Sequence, residues 1–87
     1  MNVYMVERSL KGIGMGDLAA AQKAAIGKAD EMSRSGRPIR YIRSVFTPEE
    51  GCCRCLFEAP SSDEVRRLND DLKLPYDRIV PALDLTP

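Results

Sequence analysis

Cys52, Cys53 and Cys55 are the only thiols of the chain. On a strand, Cys53 and Cys55 share one face and Cys52 takes the other. Two strand residues at that spacing sit roughly 7 Å apart at their α-carbons, the outer limit for a disulfide. The two thiols can instead converge on one soft ion, and thiolate selects Cu(I) or zinc. One intervening residue is not the usual zinc spacing. Buried free cysteines also serve as small hydrophobes. The residues alone leave both readings open.

A second constellation is Glu7 with Arg43, Tyr41 and Cys55. Glu7 shares a strand face with Val3 and Met5, where a half-buried carboxylate needs a partner. Arg43 is the expected partner. With Tyr41 and Cys55 they line a pocket between sheet and helices or between subunits, suited to a small organic acid or to proton transfer with Glu7 as base. The bland alternative is a structural ion pair at a dimer interface. The loop KGIGMGD has a GxGxG pattern, which matches neither a dinucleotide-binding nor a Walker loop, and reads as a tight turn. RSGRPIRYIR carries four arginines and no acid. It reads as a solvated edge strand whose charges discourage edge-to-edge pairing.

The totals narrow the chemistry. The chain has 87 residues, 13 basic and 13 acidic, with no histidine and no tryptophan. It is one domain, residues 1–87, with a thin core that association with a second copy would deepen. The missing histidine removes the commonest general base and the commonest metal ligand. Zero net charge argues against nucleic acid, and strand three lacks the aromatics of an RNA-binding sheet. No apolar run approaches the ~20 residues of a membrane helix, and MNVYMVERSLKG does not read as a signal peptide. Clustered thiols make a poor disulfide framework, so a soluble, cytoplasmic protein with reduced cysteines is expected.

These residues must be positioned by six elements. Residues 2–8 alternate as a strand. After the glycine-rich loop, Gly16 or Asp17 starts a helix to about residue 34, with Leu18, Ala21, Ala25, Ala29 and Met32 on one face. Gly27 lies within it, which a close helix approach would justify. Residues 38–46 form a second strand, with Ile39, Tyr41, Arg43 and Val45 on one face and Arg40, Ile42, Ser44 and Phe46 on the other. TPEEG turns the chain into a third strand, 52–58. A capping box, Ser61 with Glu64, opens a second helix whose stripe is Val65, Leu68 and Leu72. Pro75 stops it. Residues 78–85 form the last strand, and Pro81 places it at a sheet edge.

The order βαββαβ specifies an α+β, ferredoxin-like fold: a four-stranded antiparallel sheet with two helices on one face. Every strand nevertheless carries apolar residues on both faces. A monomer would leave one face apolar and wet, so a homodimer packed through the open sheet faces is expected.

Several phrases then resemble one family along nearly the whole chain: YMVER, RYIRSVFT, CLFEAPS and LPYDRIVPALDL. It is the uncharacterised family that includes a small nickel-binding protein, with dimeric ferredoxin-like chains. Many members carry a histidine where this chain has Arg43, and another that aligns with Leu68. The strand-three cysteine is kept as Cys55. A site relying on imidazoles cannot exist here, and the chain looks like a branch that trades histidine for extra cysteine.

The expected function is a binding protein for a transition metal (nickel, copper or zinc) or a small ligand. Cys53 and Cys55 are the expected soft metal ligands, with Glu7, Tyr41 and Arg43 lining the ligand site. The alternative is a small cofactor-independent enzyme in the same kind of pocket, with Glu7, Tyr41 and Cys55 as its candidate actors. Fold analogy alone suggests the alternative.

Overall fold

Burial alternates residue by residue along the first strand: Tyr4, Val6 and Arg8 are buried, while Val3, Met5 and Glu7 are half-buried. That two-residue period separates a covered face from an open one. A computed structural model describes all residues, Met1–Pro87, in the order β1 (Asn2–Ser9), α1 (Met15–Arg34), β2 (Arg40–Thr47), β3 (Cys52–Ala59), α2 (Ser62–Asp71) and β4 (Arg78–Ala82). The four strands form one antiparallel sheet in the order β2-β3-β1-β4, with both helices on one side. This is the ferredoxin-like α+β arrangement. β2 and β4 are the edges, and Pro81 sits on β4, where a missing ladder donor is tolerated.

The core lies between the sheet and the helices. Ala25, Ala29 and Met32 of α1 and Val65 and Leu68 of α2 pack on Tyr4, Val6, Cys53, Cys55, Phe57 and Ala59. Phe57 is wholly buried, and burying such a ring contributes roughly 1.5–3 kcal/mol. Tyr41 meets it edge-on, with centroids 5.5 Å apart. Gly27 faces open space on an exposed turn of α1, so no close helix approach explains it.

Three local expectations are corrected. The capping box does not form: Ser61 makes no side-chain cap, and its carbonyl accepts the Glu64 amide instead. The Glu64 carboxylate is drawn toward Arg37, 3.5 Å away, an approach that is ionic without being a hydrogen bond. β4 ends at Ala82, and Leu83 and Leu85 lie beyond it, exposed. The largest correction is in β2. Tyr41 pairs with Phe57 and Arg43 with Leu56, so Ile42 is an extra residue, a β-bulge. Alternation reverses there. Tyr41, Ser44 and Phe46 face the helices, whereas Arg43 and Val45 face the open side.

Candidate functional site

The register of β1, β2 and β3 brings one group of polar side chains together under α1. Cys53 stands opposite Arg8 on β1 and Phe46 on β2; Cys55 stands opposite Val6 and Ser44. The two sulfurs lie 3.7 Å apart on the covered face. Ser44 Oγ donates to Cys55 Sγ at 3.0 Å, and the Ser44 and Tyr41 hydroxyls are hydrogen-bonded to each other. Gln22 Nε2, reaching down from α1, donates to Tyr41 Oη at 3.1 Å. A polar chain thus runs from the helix surface to the thiol pair.

Arg8 closes the other side. Its guanidinium donates to Asn69 Oδ1 at 2.8 Å and to the Pro75 carbonyl at 3.2 Å, and it lies 3.8 Å from Cys55 Sγ. Asn69 is itself fixed, because its Nδ2 donates to the Val65 carbonyl one turn back. Arg8 is 5% exposed and Asn69 is fully buried.

These groups border a cavity of about 290 Å³ beneath α1, walled otherwise by Leu10, Ile13, Leu18, Ala25 and Phe46. A mostly apolar concavity with a few convergent polar groups is the usual form of a small-molecule site. Burial pushes the Cys53 thiol up to about 12, from an ordinary value of 9.0. The charge and hydrogen bond of the neighbouring Cys55 are the lesser parts of that rise, against a smaller opposing pull from Arg8. Cys53 is therefore a protonated thiol at neutral pH, and a metal ligated there must first displace that proton.

The residues expected to share a site are divided between the two faces. Tyr41, Cys53 and Cys55 are brought together on the covered face. Glu7 and Arg43 lie on the open face and do not join them. Nor do they pair with each other. Glu7 Oε2 is shared by Arg54 and Arg78, each at 3.3 Å, because the ladder sets both arginines directly opposite Glu7. Arg43 instead pairs with Asp84 at 3.0 Å. No group of three or more Cys, Asp or Glu side chains is arranged to hold a metal ion.

Arg8, Gln22, Ser44 and Asn69 are site residues that the sequence did not single out. Two signals were present. Arg8 continues the Tyr4, Val6 alternation and so falls on the buried face. Asn69 follows Val65 by one helical turn and so falls within the apolar stripe. Ser44 needed the bulge, which no local residue type announces.

No curated protein matches the chain. Among solved structures, the crystal structure of SCO4226 from Streptomyces coelicolor A3(2) superposes with a TM-score of 0.78. The match covers 98% of this chain and 99% of that one, at 21% sequence identity, and so shows a common fold. Residues 4–81 match the family described as nickel responsive protein, SCO4226-like. That span covers both helices and reaches into all four strands, and the chain belongs to the SCO4226-like family.

Proposed function

We propose that this chain is a small-ligand-binding protein, non-catalytic and dimeric in a reducing cytoplasm, whose site is the cavity beneath α1. The cavity carries the reading. It is largely apolar, and it is bordered by a buried guanidinium, two thiols and a hydroxyl pair on one sheet face. A nuclear magnetic resonance titration with octanol and octanoate tests it. Saturating shifts are expected at Leu18, Tyr41 and Phe46, and Ala21→Phe, which fills the cavity from α1, should abolish them. Failure of both probes to give saturating shifts sinks the reading.

The family's description points to nickel, and the donors present do not fit it. Nickel(II) favours nitrogen and oxygen ligands in a tetragonal set. This chain has no imidazole, and beneath α1 it offers two sulfurs with a guanidinium 3.8 Å from one of them. A softer ion is the second reading, and one observation favours it. Two sulfurs on one tetrahedral ion stand about 3.8 Å apart for bonds of about 2.3 Å, and these stand at 3.7 Å. Cys53 and Cys55 would hold a copper or zinc ion after losing their protons. Metal content by mass spectrometry, on untagged reduced protein, decides it. About half or one equivalent per chain, lost on Cys53→Ser with Cys55→Ser, supports the ion. No uptake after reconstitution removes it.

The dimer is proposed through the open sheet face. Val3, Met5, Leu56 and Val80 form its apolar centre, with Val45 exposed beside them. Glu7 with Arg54 and Arg78, and Arg43 with Asp84, form polar flanks. Sedimentation equilibrium at micromolar concentration should give a dimer, and Leu56→Asp should give monomer. A wild-type monomer would end this proposal.

A further inference from the structure

Charge pairing across the chain singles out one residue. Arg34, Arg37, Arg40, Arg43, Arg54, Arg66, Arg67 and Arg78 each lie within ion-pair distance of a carboxylate. Arg8, the one remaining arginine, has no carboxylate partner and is also the buried one. Its acceptors are an amide oxygen, a peptide carbonyl and a sulfur. Such acceptors satisfy donors without supplying a countercharge. A buried cation in that state is costly unless an anion joins it.

We propose that the cavity takes an organic monoanion, a carboxylate with a short apolar body, and that Arg8 holds its head. This rests on the reading of the cavity as a ligand site. Arg8 forms part of the cavity wall. A guanidinium has five donor hydrogens, and the contacts to Asn69, Pro75 and Cys55 use three, which leaves two for a ligand. Those two lie on Nε and Nη1, and a carboxylate that accepts from either supplies the countercharge Arg8 lacks through a charge-assisted hydrogen bond. The opposite walls are Leu10, Ile13, Leu18 and Phe46, which receive an aliphatic or aromatic body. The volume, about 290 Å³, lies at the small end of ligand sites, so long-chain acids and nucleotides do not fit. A bare cation is disfavoured beside Arg8 by simple repulsion.

The test compares charge at constant shape. Octanoate and its neutral analogue octanamide are titrated calorimetrically into the full chain, with acetate as a head without a body. Octanoate should bind about tenfold or more tighter than octanamide, the effect of a charge-assisted pair in a dry site. Acetate should bind more weakly than octanoate. The Arg8 side-chain resonances should move with octanoate and stay with octanamide. Arg8→Lys should keep the preference for octanoate and Arg8→Met should lose it. If Arg8→Met does not fold, the wild-type comparison still decides. Equal affinity for octanoate and octanamide overturns the role of Arg8 while leaving the cavity a ligand site. Binding of neither overturns both.

Discussion

Asn69 holds Arg8: the amide oxygen of one, fixed by its own bond to the Val65 carbonyl, accepts from the guanidinium of the other at 2.8 Å. The contact joins α2 to β1 beneath the core, 61 residues apart in sequence. It sets the direction in which the guanidinium faces the cavity. Asn69→Asp supplies in place the carboxylate that Arg8 lacks. Octanoate affinity should then fall about tenfold or more, because the internal carboxylate competes for the same cation. Asn69→Leu should instead destabilise the fold by roughly 1–3 kcal/mol, by leaving a buried donor unsatisfied. Calorimetric titration reads the first and urea unfolding the second. Undiminished octanoate binding by Asn69→Asp would contradict the geometry.

The Cys53 thiol gives a pH signature. Its folded-state value is raised to about 12, above the ordinary 9.0 expected of the unfolded chain. Below pH 9 both states hold the proton, and the residue adds no pH dependence. As pH rises above 9 the unfolded chain loses the proton while the folded one keeps it, so stability falls with pH. The slope for one proton is about 1.4 kcal/mol per pH unit. Urea midpoints measured from pH 8 to 10.5 should fall more steeply for wild type than for Cys53→Ser. Parallel slopes would show that Cys53 ionises as readily folded as unfolded.

Gly51 makes a separate demand on the backbone. It has φ 66°, and an added Cβ there would strike the Lys11 backbone. The close approach follows from a hydrogen bond in which the Leu10 amide donates to the Gly51 carbonyl at 2.6 Å. Gly51→Ala therefore combines left-handed strain with overpacking, for roughly 2–4 kcal/mol. Gly36 has φ 91° but open space around it, so Gly36→Ala should cost about 1–2 kcal/mol. Thermal unfolding of the two variants should separate them, and equal losses would refute the clash.

The order of elements was legible because each is written in local periodicity: alternation at Val3–Glu7, helical spacing from Leu18 to Met32, and turns at Pro48 and Pro75. The thiol pair was legible for the same reason, since strand alternation alone puts Cys53 and Cys55 on one face. What was not legible depends on partners distant in sequence. The sequence pairs Glu7 with Arg43, but the ladder sets Arg54 and Arg78 opposite it. No local rule gives that register. Alternation with Tyr4 and Val6 puts Arg8 on the covered face, but its partners, Asn69 and the Pro75 carbonyl, are distant in sequence and come only with the packing of α2 against the sheet.

The Ile42 bulge is the clearest case, and it yields the sharpest test. It is the one extra residue between Tyr41, paired with Phe57, and Arg43, paired with Leu56. Because of it, Tyr41 and Ser44, three residues apart, face the same side and touch. Deleting Ile42 leaves each remaining β2 residue opposite its present β3 partner, with unbroken alternation: Tyr41 inward, Arg43 outward, Ser44 inward. That variant should fold and keep Tyr41, Ser44 and Phe46 on the covered face. Deleting Val45 instead should reverse Phe46 or force the strand to slip, removing an aromatic from the cavity wall. Its stability should fall by roughly 2–4 kcal/mol, comparable to truncating a buried aromatic. Denaturant unfolding and the Tyr41 and Phe46 resonances distinguish the two. If deletion of Ile42 is the more damaging, the bulge carries strain or packing that the register alone does not reveal, and the face assignment of β2 must be redrawn.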